Sequence, residues 1–277
     1  MDYSEKLKNF PSINFPSLKT SEARRDNMVN QFMKYGLTKS NCLITEPYEK
    51  IKQNYKIHCW FTDSGFSDYC SHGINIAFLT LIKHWYDMAE EEYAIFVDDD
   101  TDISTIDYWS FTWDEFVANL PKDWECVQLL RENHWDGDTY IKYGIEEIPS
   151  LSLKLKRWDD FGSFFMMKRS HAKKILDRHY ISRTELVMDI VPPDRPDVRL
   201  FPIVENMLFT NHGTIYNFPL FLEAVQFLDS SLNMNNAPKN SDVYQKYYNY
   251  HIKSYQYFKK LWVETGLNTP IQNMMKL

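Results

Sequence analysis

Apolar positions along the first half of the chain alternate between two periods. Ile13 to Phe15 reads as a short strand closed by Pro16. The stretch "KTSEARRDNMVNQFMKYGL" then places Met28, Phe32 and Leu37 near helical spacing. Ser21 stands ready as a cap, Glu22 falls in the first turn and Gly36 comes close to the end, so a helix is predicted. "NCLIT" is a second short strand and Tyr55 to Trp60 a third, followed by the loop "FTDSGFSDYCSHG". "INIAFLTLIKHWYDMAEEE" repeats its apolar residues at intervals of three and four, the pattern of a helix packed on a sheet. Ala94 to Val97 is an unbroken apolar run, which suits a strand buried on both faces.

The second half is less regular. "WDEFVANLP" is a short helix stopped by Pro121, and Trp124 to Leu130 is another inner strand. "LSLKLKRW" and "SFFMMKR" are strand-like and straddle Asp159, Asp160 and Gly162. Ser170 is placed to cap a helix, "HAKKILDRHY", and "VPPDRPDV" is a rigid turn. "VENMLF" and "TIYNFPLF" precede a long aromatic helix, "SDVYQKYYNYHIKSYQYFKKLWVETG". Strands alternating with helices indicate an α/β fold with a mostly parallel sheet, in which ligands bind beyond the carboxyl ends of the strands.

The Ala94–Val97 strand ends in "DDDTD", so its carboxyl tip carries Asp98, Asp99, Asp100 and Asp102. Adjacent carboxylates repel by roughly 1 kcal/mol per pair in water and by about 4 kcal/mol at an effective dielectric constant near 20. Held at a sheet edge, they must raise their pKa values or take up a cation. Carboxylate oxygens select hard cations such as Mg²⁺ or Mn²⁺, which complete their coordination with water and substrate phosphates. The spacing therefore points to a divalent metal gripping a diphosphate, with Asp98 and Asp100 as ligands.

Three other readings of the cluster compete with this one. A calcium loop beginning at Asp98 would need Gly and Glu where Ile103 and Trp109 stand. A haloacid-dehalogenase phosphatase wants Thr or Val where Asp102 stands. The bland alternative is a solvated acidic turn in which Asp102 or Asp107 caps a helix.

Composition narrows the field. The 277 residues suffice for a sizeable core in one large or two small domains, and 44% hydrophobic with 25% charged residues is ordinary for a globular protein. Only 8 glycines argue against a fold built on Gly-rich phosphate loops. A formal charge of −7 disfavours a general nucleic-acid binder. Cys42, Cys59, Cys70 and Cys126 show neither zinc nor disulfide spacing and are expected as buried or half-buried thiols. Neither a signal peptide nor a membrane span is evident, so a cytoplasmic protein is expected.

The order of motifs resembles glycosyltransferase family 25, the lipopolysaccharide-type and procollagen galactosyltransferases, and most closely its divergent phage and viral members. The resemblance rests on "INFPSLKTSEARRDNMVNQFMKYGL", "HGINIAFLTLIKHWY", "IFVDDDTD", "FVANLPKDWECVQLL", "GSFFMMKRSHAKKIL", "PIVENMLF" and "YNFPLF" in sequence, from Ile13 to about Leu228. Two departures stand out: Ala77-Phe78 stand near the position of the family's usual Ser-His, and the acidic triplet is all aspartate.

The resemblance implies a GT-A-type fold, with residues 1–230 as the glycosyltransferase domain and 231–277 as a C-terminal helical extension packed on it. It implies a metal-dependent transfer of sugar from a nucleotide-diphosphate donor, such as a UDP-sugar, to a hydroxyl acceptor with inversion. The acceptor would be a glycan, a protein or a modified DNA base; a viral member would work in the host cytoplasm. A third metal ligand is expected from the C-terminal part, His251 before His212. Asp160, Asp159 and Glu205 compete as the general base. Asp99 or Asp102 would lie near the sugar or ribose, and Pro16, Ser17 and Arg25 would meet the nucleotide, with Arg24 a solvated neighbour. Trp135 is the candidate for stacking on the acceptor, whereas the aromatic helix is read as core. Two rival functions are an α/β phosphohydrolase, whose nucleophile is not evident, and a catalytically idle nucleotide-sugar or carbohydrate binder.

Overall fold

The computed structural model of the protein describes residues 1–59, 68–130, 150–155, 164–191, 200, 203–209, 213–227 and 242–276. In chain order its strands are β1 (Ile13–Leu18), β2 (Ser40–Thr45), β3 (Lys56–His58), β4 (Tyr93–Phe96), β5 (Thr101–Asp102) and β6 (Cys126–Gln128). They continue with β7 (Lys154–Leu155), β8 (Phe165–Lys168), β9 (Tyr180–Ser182), β10 (Glu185–Val187), β11 (Ile215–Asn217) and β12 (Leu222–Glu223). The helices are α1 (Tyr3–Lys6), α2 (Glu22–Tyr35), α3 (Tyr48–Ile51), α4 (Asp68–Met88), α5 (Trp113–Ala118) and α6 (Arg169–His179). The last three are α7 (Val204–Phe209), α8 (Asp242–Thr265) and α9 (Ile271–Met274).

Seven strands form the central sheet in the order β2-β1-β4-β8-β6-β11-β7. β2, β1, β4, β6 and β11 run one way; β8 and β7 are reversed. The fold is mixed α/β with a mostly parallel central sheet.

The apolar run of β4 serves both faces of this sheet. Ile95 and Val97 join the core beneath α2, with Met28, Phe32, Ile13 and Phe15. Ala94 and Phe96 join the opposite core beneath α4, with Phe78, Leu79 and Ile82. From β1 the chain passes through α2 to β2 on one side, then returns through α4 to β4 on the other side of β1. The direction of winding thus reverses between β1 and β4, which creates a crevice beyond their carboxyl ends.

Several elements differ from expectation. β1 runs through Pro16 to Leu18. Asn14 accepts from the Val97 N–H on the β4 side, so Pro16, two residues on, also turns its nitrogen to that side. The β1–β4 ladder pairs only Ile13 and Asn14, so the missing N–H of Pro16 breaks no bond. Ser170 lies inside α6, whose N-cap is Lys168. Of the strand expected from Tyr55 to Trp60, Lys56–His58 is a strand and Trp60 lies outside the described residues. Cys42 is exposed on the edge strand β2, contrary to the buried thiol expected, while Cys126 is buried.

The C-terminal helices share the main core: Trp262 of α8 and Ile271 and Met274 of α9 are buried with Val127, Phe218 and Phe221. The Leu153 N–H donates to the Met274 carbonyl at 2.7 Å. Among the described residues, no helix is long and apolar enough to cross a membrane.

His179, at the end of α6, is almost fully buried, and its Nδ1 donates to the Val187 carbonyl of β10 at 2.8 Å. Burial lowers its pKa from 6.5 to about 4, with the Val187 hydrogen bond opposing and the Arg178 charge assisting. The folded ring therefore binds fewer protons than the unfolded one. Its contribution is intact above 6.5 and is lost as pH falls towards 4. His179→Asn retains an N–H for Val187 and removes the titration. Thermal melts of this variant should show a flatter decline across that window, and an unchanged slope would clear His179 of the effect.

Candidate active site

The site is built where β1 and β4 part. Beyond Asn14 and Phe96 the two strands no longer pair, and their tails face each other across the crevice. Ser17 Oγ of β1 donates to Asp99 Oδ2 at 2.6 Å, joining the two tails. Asp99 and Asp100 are buried, and Asp98 is partly exposed. The Thr101 hydroxyl donates back to the Asp98 carbonyl at 2.7 Å, which tightens the turn.

The two arginines of α2 divide the work in a way opposite to expectation. Arg24, expected in solvent, has its Nη1 3.0 Å from both Asp99 Oδ1 and Asp100 Oδ2. Its Nη2 donates to the Phe227 carbonyl at 2.7 Å. Arg25 instead donates to the carbonyls of Leu18 and Lys19 and to Ser17 Oγ, so its guanidinium ties down the tail of β1.

A second chain segment closes the cluster. β5 pairs antiparallel with β12, setting Glu223 opposite Thr101, and the Ala224 N–H donates to the Asp100 carbonyl at 2.6 Å. Glu223, which the sequence reading missed, thereby enters the acidic group. Its Oε2 is 2.5 Å from Nδ1 of His251 on α8, whose side chain is only 3% exposed. Asp102 faces the same helix. It accepts from the Ser104 N–H at 2.7 Å and from the Tyr255 hydroxyl at 3.2 Å, and Lys259 Nζ lies 3.7 Å away. A narrow recess beside the cluster is lined by Leu130, Leu222, Glu223, His251, Tyr255 and Phe258.

Among the described residues, Arg24 pairs with Asp99 and Asp100, and His251 faces Glu223. Burial opposes the charge of Arg24, but Asp100 and Asp99 outweigh burial and raise the guanidinium's pKa. Burial also pushes Asp100 up to about 8, and the facing Glu223 adds to this against the pull of Arg24. Glu223 is likewise raised to about 8 by burial and by Asp98, again against Arg24. The pair therefore retains a proton above the usual carboxylate range.

Carboxylate oxygens are the donor type that hard divalent cations take. In the present arrangement, however, no three His, Cys, Asp or Glu side chains among the described residues converge closely enough to hold one. Arg24 stands against Asp100, and His251 faces Glu223.

Of the residues singled out in the sequence, Pro16, Ser17, Asp98, Asp99, Asp100, Asp102 and His251 are gathered at this end of the sheet. Glu205 stands in the first turn of α7, whose Val204, Met207, Leu208 and Phe209 pack into the core on the α4 side. Asp159, Asp160, Trp135 and His212 lie outside the described residues. Asp107 caps no helix; it accepts from the Tyr3 hydroxyl at 2.6 Å and pairs with Lys34 at 2.8 Å.

No family model and no curated protein matches the sequence. Among solved structures, the chain is similar to the apo crystal structure of mouse xyloside xylosyltransferase 1, with 10% identity and a TM-score of 0.28. That match covers 71% of this chain and 66% of the mouse protein's, just under two thirds of its length.

Proposed function

We propose that the protein is a metal-dependent glycosyltransferase of GT-A type, moving a sugar from a nucleotide-diphosphate donor to a hydroxyl acceptor. The observation that carries this reading is the position of the acidic cluster: four carboxyl groups with one arginine, at the carboxyl ends of β1 and β4 where the winding of the sheet reverses. Crevices of this kind receive nucleotides in α/β proteins. The order of sequence motifs supports the same reading.

Asp98 and Asp100 would hold the cation. His251 approaches from α8 with its Nδ1 against Glu223, the orientation in which a carboxylate steadies a ligating imidazole. A bound Mn²⁺ or Mg²⁺ would supply positive charge to the departing diphosphate. Pro16 and Ser17 would border the nucleotide's side of the crevice, where Arg25 donates to the Ser17 hydroxyl and the Leu18 carbonyl. Asp99 or Asp102, the latter held by the Ser104 N–H and the Tyr255 hydroxyl, would lie near the sugar or ribose. Transfer with inversion needs a carboxylate to take the acceptor hydroxyl's proton, a role for which Asp160, Asp159 and Glu205 remain the candidates.

A second reading, a catalytically idle nucleotide-sugar binder, draws support from Arg24, which gives Asp99 and Asp100 a counter-charge within the fold. One assay separates the two. The protein is incubated with Mn²⁺ and a panel of nucleotide-sugars, with and without hydroxyl acceptors, and released nucleoside diphosphate is measured. Metal-dependent release is the expected result. Binding of a donor with no release would establish the idle binder, and neither binding nor release would overturn both.

A further inference from the structure

The two ends of the central sheet are finished differently. At one end β7, Lys154–Leu155, is very short. At the other end β2 runs from Ser40 to Thr45 in unbroken register with β1, and among the described residues no strand pairs with its outer side. Ile13 and Lys19 donate their N–H groups to the carbonyls of Lys39 and Thr45, so alternate residues of this strand turn their backbone to β1. The N–H and C=O groups of Ser40, Cys42 and Ile44 therefore point outward. Proteins usually guard such an edge with charge, proline, a bulge or a short strand, and "SNCLIT" has none of these.

Exposed apolar side chains border the same edge. Phe15 packs on Phe32 of α2, with ring centroids 5.9 Å apart, and is in register with Cys42. Ser17 is likewise in register with Ile44, so Cys42 and Ile44 share α2's side of the sheet. Gln31 and Lys34 of α2 reach Thr101 and Asp107 on the β4 side. Val29 and Met33 lie on the other flank of the helix, towards β2, and are 48% and 75% exposed. Ile44 is 58% exposed. Scattered apolar residues on a surface are ordinary, but a group of them along an open edge marks an interaction surface.

We propose that β2 is the subunit interface of a homodimer, in which two copies of this chain pair their β2 strands antiparallel about a two-fold axis at Cys42. Ser40 of each copy then stands opposite Ile44 of the other, and the two Cys42 residues face each other. Every outward N–H of these residues meets an outward carbonyl, and the two sheets join into one. No charge lies within the strand to oppose self-pairing. Lys39 and Glu46 stand at its two ends, and the two-fold sets the basic end of each strand beside the acidic end of the other. Val29, Met33 and Ile44 add apolar area to the backbone pairing, as a stable interface of about 800 Å² per partner requires. A directly opposed, hydrogen-bonded pair holds its Cα atoms about 5.5 Å apart, a separation that a disulfide spans.

Sedimentation equilibrium of the full chain between about 1 and 100 μM should show monomers in exchange with dimers. Cys42→Lys sets two ammonium groups face to face on the axis and should weaken the dimer about tenfold or more. Diamide, which takes two electrons and two protons from a pair of thiols, should link wild-type chains, and Cys42→Ser should abolish the link. Circular dichroism checks folding; should Cys42→Lys fail to fold, Ile44→Lys places its charge in the same edge at an exposed position. A wild type that stays monomeric throughout this range overturns the proposal. So does a dimer that these charges leave unchanged, because the copies would then meet elsewhere. A dimer that gives no link, or a link that persists in Cys42→Ser, overturns the two-fold register at Cys42.

Discussion

Replacing Asp98 and Asp100 together by asparagine is expected to abolish Mn²⁺-dependent binding of nucleoside diphosphate and to reduce turnover by about a thousandfold or more. Losing a single preorganised charge-stabilising contact commonly costs about a hundred- to a thousandfold, and this change removes both assigned metal ligands. The fold should tolerate the substitution. Asp100 is pushed up to about 8 by burial and by Glu223, so at neutral pH an amide of the same shape replaces a group already inclined to be neutral. Arg24 keeps its contact with Asp99, and the bonds from the Thr101 hydroxyl to the Asp98 carbonyl and from the Ala224 N–H to the Asp100 carbonyl do not involve the altered atoms. Calorimetry and the nucleotide-sugar assay read the outcome. A double variant that still binds and turns over donor would remove the site from this end of the sheet.

The second large effect concerns stability. Trp262→Ala should lower the stability of the protein by about 3–5 kcal/mol, the usual loss for a fully buried large aromatic side chain. Trp262 is completely buried, and its Nε1 donates to the Pro219 carbonyl at 2.9 Å. Phe218 and Phe111 flank it, with ring centroids 6.3 and 6.4 Å away. Gly266 follows so closely that a Cβ there would strike the Trp262 ring and the Tyr108 carbonyl. At about 2–4 °C per kcal/mol for a chain of this size, the melting temperature should fall by about 10 °C. Trp262→Phe, which fills most of the space, should lose much less. If thermal denaturation showed a loss under about 1 kcal/mol for the alanine variant, α8 would be an appendage and not a wall of the core.

The local elements of this fold are legible because their signals are local. Met28 and Phe32 recur on one side of α2, the apolar residues of α4 recur at intervals of three and four, and Ala94 to Val97 form an uninterrupted run. Each of these stretches becomes the element its period indicates. Pro16 shows where a local rule yields to context. A proline ordinarily ends a strand, but the neighbouring ladder had already ended on the side its nitrogen faces.

The acidic site divides in the same way. Asp98, Asp99 and Asp100 follow directly on a buried strand, so their place at its tip can be read from the chain. Arg24 and Arg25 cannot be told apart by composition. They point about 100° apart around α2, and only the docking of that helix decides which faces the aspartates. Glu223 carried one signal that went unused: it too follows an apolar run, "YNFPLFL". Its partner His251 shares a helix face with Ser254, Tyr255 and Phe258, yet nothing near it in the chain announces Glu223.

By itself the sequence determined the alternation of strands and helices, the two-faced burial of β4 and the crowding of acids at its tip. All of these follow from side-chain pattern and from charges adjacent in the chain. Only the tertiary structure decided that the winding reverses between β1 and β4, that β12 brings Glu223 beside Thr101, and that Arg24 rather than Arg25 meets the acids. The reason is physical: periodicity is written within a few turns of chain, whereas these contacts join distant segments and are fixed by how whole elements pack.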